Sequence, residues 1–280
     1  EVSERPQAMR VHWHSSLEEA SRGGDLCIVA TPAQGRCQLV RQITETLGYS
    51  AFLLEKLVGQ SICEIETLWE FSKVRNLALW VNCKARAYPF HQRLKARLEP
   101  ADSILFSVVG GNHGLANNGI HAADLFAFYD GTSRIESTGS SLDPVLHPSK
   151  RGEGLFDLSG TLCGVTEKGS RLTLSYAAHP NQAEHISLMT REYRCVVDHL
   201  QRWAMESDTR SGWAWRAVSF EGELLVSQMT KIFAQEILIS GHCALPTLEE
   251  SLVAHRFILG QLQPHFSQLL DQELERCPVT

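Results

Sequence analysis

Residues 51–61, AFLLEKLVGQS, are the stretch from which the fold of this chain can be worked out. Four mostly apolar residues lead into Glu55 and Lys56, and an amphipathic run follows over residues 62–74. This order is typical of a buried strand followed by a crossover helix. Because ligands of open α/β sheets bind beyond the carboxyl ends of the strands, the pattern predicts that Lys56 marks an active site.

The elements on either side of this stretch repeat the same alternation. Apolar runs of strand length occupy residues 25–30 and 77–82, and helical periodicity covers residues 34–47 and 88–98. Strands that alternate with helices at this spacing predict a parallel sheet with right-handed crossovers. We therefore predict a first domain over residues 1–100.

The pattern changes after Pro100. Residues 103–109 predict a strand and residues 115–129 a helix, and residues 137–153 are predicted to be a loop. Further short strands at hairpin spacing are predicted at residues 155–166, 170–178, 185–190, 193–198 and 212–220. This spacing is typical of an antiparallel sheet.

Two helices are predicted near the end of the chain, at residues 223–239 and 248–274. Thr247 and Glu250 form a capping box at the start of the second. We predict a second domain over residues 101–280, with its last helix packing back toward the first domain. The fold class is α/β plus α+β.

Composition narrows the function classes. A net charge of −6 and a pI near 6.1 argue against nucleic-acid binding, and no apolar run reaches the roughly 18 residues that span a bilayer. The eight cysteines form no C-x-x-C pair and no zinc-type spacing with histidine, so no metal site is predicted. Their scatter within apolar runs indicates a reducing, cytoplasmic compartment.

Four short motifs occur in the same order as in a known enzyme family. They are IVATP with Thr31 and Pro32, Glu55–Lys56–Leu57, VNCKARAYP with Arg86, and NNGIHAAD with His121 and Asp124. In these motifs the chain resembles the Gfo/Idh/MocA family of NAD(P)-dependent oxidoreductases over nearly its whole length. The resemblance implies a partial Rossmann-type parallel sheet domain, followed by a domain with a large, mainly antiparallel sheet.

The resemblance also implies a function. Members of the family transfer a hydride between a nicotinamide cofactor and a sugar or sugar derivative. The expected cofactor is therefore NAD or NADP, and the expected partner is a small-molecule sugar. The segments GNHGLANNGIH and LPTLEES are most similar to members from bacterial surface-polysaccharide or nonulosonic-acid pathways.

Lys56 and His121 are the expected catalytic residues. Lys56 would polarise and orient the substrate hydroxyl, and His121, with an ordinary pKa of about 6.5, would be the general acid or base. The alternatives are a solvated lysine at a strand end and a histidine that packs within its helix. By resemblance, Thr31, Pro32, Glu55 and Lys56 line the nicotinamide-ribose side of the cofactor.

Substrate contacts are expected from Arg86, Asn112, Asn117 and His121. Asn117 lies one helical turn before His121 and shares its face, although a polar surface role fits equally well. Arg86 could bind a carboxylate or phosphate through two hydrogen bonds, or form an ion pair with a surface acid. His113, in the loop before the helix, is a further candidate contact. The remaining histidines are interpreted as ordinary.

Three residues depart from the motifs of the family. Leu57 replaces a proline after the lysine, and Arg36 replaces a histidine after Thr-Pro. Asn117 replaces an aspartate four residues before His121. An asparagine can hydrogen-bond a substrate but cannot act as a base.

A larger departure concerns the phosphate-binding turn. Family members begin with a strand, a G-x-G-x-x-G turn and a helix, and the sequence contains no such pattern. Without that turn we expect poor dinucleotide binding, a bare edge on strand 25–30, and a short strand near residues 11–13 without a neighbour. We therefore expect the natural protein to be longer. A natural truncation would favour the alternative hypothesis, a catalytically silent binding or scaffold protein.

The family resemblance also implies self-association through the open face of the large sheet. Because an apolar sheet face needs cover, we expect a homodimer or homotetramer. Trp203, Trp213 and Trp215 are interpreted as core or interface packing rather than as a platform for sugar stacking.

Overall fold

The structure of the protein is a computed structural model that describes residues 11–112, 114–179, 184–220 and 225–280. Two main sheets carry the fold, one of three strands and one of eight. The predicted fold class, a parallel sheet followed by a large and mainly antiparallel one, is confirmed.

The three-stranded sheet is parallel. Its strands β1 (Cys27–Val29), β2 (Ala51–Leu54) and β3 (Ala78–Val81) lie side by side in that order. Helix α1 (Arg36–Leu47) connects β1 to β2, and α2 (Ile62–Arg75) connects β2 to β3. The central strand β2 is buried along most of its length, which explains why its sequence is a continuous apolar run.

Local sequence signals set the ends of these helices. Gly48, in the left-handed region at φ 77°, ends α1 and donates its backbone N–H to the carbonyl of Thr44. The Ser61 hydroxyl caps α2 by accepting from the backbone N–H of Glu64. Because these signals lie within a few residues of each other, the sequence predicted both helices to within two residues.

The outer edge of this sheet is uncovered in the described residues. Ile28 on β1 is 49% exposed and pairs only with β2. The strand predicted near residues 11–13 is wrong, since these residues form no regular structure and Trp13 is 92% exposed. The bare edge expected on β1 is confirmed for this part of the chain.

The remaining elements build the second sheet and the helices around it. In chain order the strands are β4 (Leu105–Gly110), β5 (Glu136–Leu142), β6 (His147–Pro148), β7 (Phe156–Asp157), β8 (Gly160–Val165), β9 (Arg171–Tyr176), β10 (His185–Met189), β11 (Tyr193–Asp198), β12 (Trp203–Asp208) and β13 (Arg216–Ser219). The helices are α3 (Pro89–Arg97), α4 (Leu115–Asp130), α5 (Val226–Ser240) and α6 (Leu248–Leu269).

The eight-stranded sheet has the order β13-β12-β11-β10-β4-β9-β8-β5. All of its neighbouring strands are antiparallel except β4 and β9, which are parallel. The predicted loop over residues 137–153 is corrected here, because β5 and β6 lie within this range. Strand β12 was not predicted. Strand β5 was not predicted because its sequence, ESTGSSL, does not alternate between apolar and polar residues.

Helix α4 packs on one face of the large sheet, and α6 packs on α4. The capping box at the start of α6 is confirmed, with Thr247 and Glu250 bonded to each other's backbone N–H groups. Helix α6 also contacts α2 and β3 of the first sheet, so it joins the two halves of the molecule. It ends at Leu269 rather than near 274.

The opposite face of the large sheet has no covering element among the described residues. Leu105 and Val109 on β4 are 53% and 57% exposed, and Met189 on β10 and Trp203 on β12 are 46% and 42% exposed. None of the helices in the described part of the chain combines the length and apolar character needed to cross a membrane.

Candidate functional site

The carboxyl ends of the parallel strands bring three loops together. Thr31 and Pro32 follow β1 and are exposed, and Glu55 and Lys56 follow β2. The Glu55 carboxylate accepts a hydrogen bond of 2.7 Å from the side chain of Asn82, which follows β3. The predicted cofactor-side residues therefore lie on one edge of the sheet, where ligands of such folds bind.

Arg36 holds two of these loops in place. Its buried guanidinium donates to the backbone carbonyl of Thr31, to that of Glu55 at 2.7 Å, and to that of Leu57. Burial lowers the pKa of Arg36 to about 10, although the nearby Glu55 carboxylate favours the charged form. The residue that departs from the family motif thus stabilises the loops that carry that motif.

The loop after β2 has a second support from α6. The backbone N–H of Val58 donates to Nε2 of His255 at 3.1 Å, and Nδ1 of the same ring donates to the carbonyl of Ser251 at 2.8 Å. His255 is fully buried, and burial lowers its pKa to about 4. A neutral imidazole is required here, because Nε2 must accept a hydrogen bond.

Lys56 reaches from the first sheet to α4. Its ammonium donates to the carbonyl oxygen of Asn117 at 2.6 Å and to the side-chain oxygen of Asn118 at 3.4 Å. The residue is only 6% exposed, and burial, followed by the repulsion of Arg151, lowers its pKa to about 8. Lys56 is therefore not the solvated lysine of the alternative interpretation.

The first turn of α4 is positioned by an acid that the sequence analysis did not identify. Asp157 on β7 accepts hydrogen bonds from the backbone N–H groups of Ala116 at 2.9 Å and Asn117 at 3.3 Å. Gly114 precedes the helix at φ 107°, a conformation that favours glycine. A carboxylate at a helix N-terminus is stabilised by the unpaired N–H groups and the helix dipole.

His121 lies one turn further along α4. Its Nδ1 is buried and has no hydrogen-bond partner in the described part of the chain. Burial, with smaller contributions from Lys56, Lys84 and His199, holds the pKa of His121 well below its usual range. The imidazole is therefore neutral at physiological pH, with an orphaned buried nitrogen.

His121 lines a cavity of 500 Å³ between α4 and the large sheet. We refer to it as the His121 cavity. Its other polar lining residues include Lys84, Asn118, Glu184, His199 and Arg202, and Tyr88 and Leu125 are among its apolar ones. Of the predicted site residues, His121 is the one that lines it directly, and Lys56 is joined to it through Asn118.

Glu184 is a partly buried acid on the cavity wall. Its carboxylate accepts a hydrogen bond of 2.7 Å from the Tyr176 hydroxyl. Burial raises the pKa of Glu184, while the bond from Tyr176 and the charge of Lys56 oppose that rise. Lys84, His199 and Arg202 line the same cavity, so this carboxylate is one of several polar groups on its wall.

Arg86 lies elsewhere and has an internal partner. Its guanidinium forms a two-point ion pair with Asp124, at 2.9 and 2.8 Å, and a longer contact of 3.4 Å with Glu250. Burial disfavours the charge of Arg86, but Asp124 more than offsets it, so the pKa of Arg86 lies above its ordinary value. The structure thus gives Arg86 the ion pair of the alternative interpretation, mainly with buried Asp124 and at longer distance with exposed Glu250.

The side chain of Asn117 is also engaged by the protein. Its oxygen accepts from the backbone N–H of Thr280 at 3.0 Å, and its nitrogen donates to the carbonyl of Phe156 at 3.2 Å. Asn118, the next residue, lines the cavity instead. Asn112 is exposed at φ 62° in the loop before α4, away from the cavity lining, and His113 lies outside the described residues.

Sequence reasoning missed several residues of this cavity. Lys84, Glu184 and His199 come from three different elements, and no short motif links them. Asn118 had a usable signal, because it lies three residues before His121 and so shares its helix face. The sequence analysis interpreted the remaining histidines as ordinary, and His199, one of them, lines the cavity.

The residues expected to line the nicotinamide-ribose side of a dinucleotide lie on one edge of the first sheet. Exposed Thr31 and Pro32, with Glu55 and Lys56, would hold that part of the cofactor. The described strand-to-helix connections of the first sheet, residues 30–35 and 55–61, contain no glycine-rich turn that would hold a pyrophosphate. Among the described residues, no group of histidine, cysteine and carboxylate side chains is arranged to hold a metal ion.

In its fold, this chain is similar to several solved protein structures. No family model matches the chain, and no curated protein matches it. UDP-N-acetylglucosamine 3-dehydrogenase GnnA from Acidithiobacillus ferrooxidans matches with a TM-score of 0.65 and 16% identity, over 90% of this chain and 78% of that one. The dehydrogenase MviM from Clostridium difficile matches with a TM-score of 0.68 and 16% identity, over 90% and 82% of the two chains.

A third solved structure is a mutant of KijD10, a 3-ketoreductase from Actinomadura kijaniata, in complex with TDP-benzene and NADP. It matches with a TM-score of 0.67 and 16% identity, over 89% of this chain and 79% of that one. At these identities the likeness shows the fold alone. This chain therefore shares the architecture of these oxidoreductases, a Rossmann-like parallel sheet joined to a large mixed sheet.

Proposed function

We propose that this protein is an NAD(P)-dependent oxidoreductase that transfers a hydride to or from a sugar or sugar derivative bound in the His121 cavity. The observation that carries the proposal is the bond between Lys56, at the carboxyl end of a parallel strand, and the turn of α4 that leads to His121. Two catalytic candidates that are distant in sequence thereby meet beside a substrate-sized cavity.

The matched oxidoreductases support this reading through their fold. One is a UDP-N-acetylglucosamine dehydrogenase and another a 3-ketoreductase seen with NADP, so the architecture suits hydride chemistry on sugars. A role in bacterial surface-polysaccharide or nonulosonic-acid biosynthesis belongs to the same proposal.

The chemistry requires a group that moves a proton and a group that stabilises the carbonyl oxygen. Oxidation breaks the C–H bond of one carbon and the O–H bond of its hydroxyl group. When bound, a nicotinamide cofactor would supply the hydride acceptor, and the protein would accept the proton. In reduction, the hydride and the proton are added back to the carbonyl group. These two protein roles can be assigned to Lys56 and His121.

Lys56 suits proton exchange, because its pKa of about 8 lies close to neutral pH. Its ammonium has three N–H bonds, and two are used by Asn117 and Asn118. His121, which is neutral, suits orienting the substrate from the wall of the cavity that it lines. We thus propose the reverse of the sequence-based assignment, in which His121 was the acid or base and Lys56 the orienting group.

The test is a titration of NADH and NADPH into the full-length gene product, followed by nicotinamide fluorescence. We expect saturable binding of at least one, and oxidation of that cofactor by a keto-sugar nucleotide. Binding of neither would overturn the proposal. It would favour the catalytically silent scaffold, which the lack of a pyrophosphate-binding turn among the described residues also motivates.

We further propose that the protein is a homodimer or homotetramer formed through the open face of the large sheet. The support is the row of exposed apolar side chains on that face, among them Leu105, Val109 and Met189. Contiguous apolar surface of this kind marks association sites.

A further inference from the structure

Three polar side chains, two of them buried, form a hydrogen-bonded row that ends at the His121 cavity. The Tyr129 hydroxyl, near the end of α4, is bonded to Nδ1 of His91 on α3. Nε2 of His91 is bonded to Nε2 of His199 at 2.6 Å, and His199 lines the cavity. Tyr129 and His91 are 3% and 0% exposed, so water cannot substitute for these contacts.

Aromatic rings enclose the two imidazoles. The Phe220 ring lies 5.8 Å from the ring of His91 and 5.3 Å from that of His199. Phe90 meets His91 edge-on at 5.2 Å, and Tyr88 meets His199 edge-on at 5.3 Å. Burial in these surroundings holds the pKa of His91 well below its usual range and lowers that of His199 to about 4. Each ring therefore carries one N–H at neutral pH.

The row then has one consistent arrangement of protons. The Tyr129 hydroxyl has no other hydrogen-bond partner in the described residues, and burial raises its pKa well above the ordinary value, so it keeps its proton. If it did not donate to His91, that buried proton would be unpaired at a cost of about 1–3 kcal/mol. Nδ1 of His91 is therefore the acceptor, and the proton of His91 is on Nε2.

The position of the proton on His91 also fixes the tautomer of His199. Because Nε2 of His91 donates, Nε2 of His199 must accept, and the proton of His199 is on Nδ1. Nδ1 of His199 makes no hydrogen bond within the described part of the chain. It is also not among the buried nitrogens that lack a partner, so it is an accessible atom of a residue that lines the cavity.

We propose that His199 presents a fixed Nδ1–H donor to the His121 cavity, where it binds an oxygen atom of the substrate, and that Tyr129 and His91 are positioning residues that hold it in this tautomer. The ligand rests on the proposed function: it is a carbonyl or hydroxyl oxygen of the sugar. A neutral imidazole donor can stabilise developing charge on a carbonyl oxygen without giving up its proton.

The tautomers can be read directly, without substrate or cofactor. In protein labelled with ¹⁵N-histidine, long-range ¹H–¹⁵N correlation spectra at pH 7.5 distinguish Nδ1–H from Nε2–H rings. Spectra of His199→Asn and His91→Gln assign the two residues. We expect Nδ1–H for His199 and Nε2–H for His91. The reverse pair would overturn the proposal, even if the protein proves to be an oxidoreductase.

Removing the start of the row gives a second test. Tyr129→Phe should turn His199 into a mixture of the two tautomers, whereas Tyr193→Phe, a buried tyrosine at another surface cavity, should leave it unchanged. A purely structural role for Tyr129 would lower stability without moving these signals. An unchanged His199 spectrum in a folded Tyr129→Phe protein would contradict the positioning role.

Kinetics of the full-length enzyme test the donor itself. The amide nitrogen of asparagine can take the place of Nδ1, and that of glutamine the place of Nε2. We expect His199→Asn to keep kcat/KM within about tenfold and His199→Gln to lose about 10²–10³-fold, the usual effect of removing one oxyanion donor. Equal losses would overturn substrate binding through Nδ1. If the wild-type protein has no turnover, the proposed function fails, while the spectra still decide the tautomer.

Discussion

The ammonium of Lys56 donates to the carbonyl oxygen of Asn117 at 2.6 Å, and this bond joins the parallel sheet to the helix that carries His121. A backbone carbonyl in the first turn of α4 is a fixed acceptor, because the helix is itself held by Asp157. The position of Lys56 is therefore set by two elements that are far apart in sequence.

The pH dependence of turnover should report Lys56. With a pKa of about 8, its ammonium is present below that pH and lost above it. In the direction of carbonyl reduction, kcat/KM should fall as the pH rises through about 8, because the proton donor disappears. In the direction of alcohol oxidation it should rise over the same range.

Replacement of this lysine checks the same assignment. Lys56→Ala should lower kcat by about 10²–10⁴-fold, the usual contribution of a positioned acid or base, and remove the inflection near pH 8. Lys73→Ala is the control, since Lys73 is an exposed residue bonded to Glu70. A flat pH profile in the wild type, or an active Lys56→Ala enzyme, would contradict the assignment.

Arg36 should be essential for the stability of the loops after β1 and β2. Arg36→Ala leaves the carbonyls of Thr31, Glu55 and Leu57 without their donor, so the free energy of unfolding should fall by about 2–5 kcal/mol. Urea denaturation measures it. Arg41→Ala on the same helix, which removes only a ring contact with Phe71, should cost less than about 1 kcal/mol. Similar losses in the two variants would refute the role of Arg36.

The ion pair between Arg86 and Asp124 should be a strong stabilising contact. Asp124→Asn leaves a buried guanidinium without its buried charge partner, with only the longer contact to exposed Glu250 remaining, and should cost about 3–5 kcal/mol of unfolding free energy. Breaking the exposed pair of Arg256 and Glu66 by Arg256→Ala should cost less than about 1 kcal/mol.

A double variant separates this role from substrate binding. Arg86→Met combined with Asp124→Leu removes both charges and should recover most of the lost stability. Because Arg86 is paired with Asp124, we expect it not to bind substrate, so the KM of the double variant should match that of the wild type. A large rise in KM in a well-folded double variant would instead show that Arg86 binds substrate.

Acid should destabilise the protein through its buried histidines. The folded-state pKa values of His199 and His255, both about 4, lie below the unfolded value of about 6.5. As the pH falls below 6.5 the unfolded chain takes up protons that the folded chain does not. Stability should thus be full above about 6.5 and fall by up to about 1.4 kcal/mol per pH unit per histidine down to about 4.

Urea denaturation between pH 7.5 and 4.5 measures this slope. His255→Gln should reduce it, because the glutamine oxygen can accept from Val58 without titrating. His242→Gln, at an exposed position, should leave it unchanged. Stability that does not vary with pH over this range would show that these histidines are not buried as described.

The open face of the large sheet should hold the oligomer together. Val109→Glu places a charge in the middle of that face and should convert the dimer or tetramer to smaller species in light-scattering measurements. Val74→Glu on α2, where Val74 is 82% exposed, is the matched control and should not change the mass. A monomeric wild-type protein would contradict the predicted association.

The sequence alone determined the elements of the parallel sheet and the place of Lys56. Strand β2 was predicted with its observed limits, and α2 and α4 to within one residue at each end. These elements could be predicted because their signals are local: apolar periodicity, a serine or glycine at a helix end, and a charged pair after a buried run. Strand β5 lacked such a signal and was missed.

The tertiary structure decided the partners of each side chain. Periodicity identified the face that His121 and Asn117 share, but only packing shows that Asn117 contacts Thr280 and Phe156 while Asn118 lines the cavity. His91 and His199 are 108 residues apart and contact each other only because α3 packs beside the turn after β11. A sequence pattern reports which face of an element is buried, whereas the covering element depends on the fold as a whole. For that reason the position of Lys56 could be predicted from sequence, and the hydrogen-bonded row of Tyr129, His91 and His199 could not.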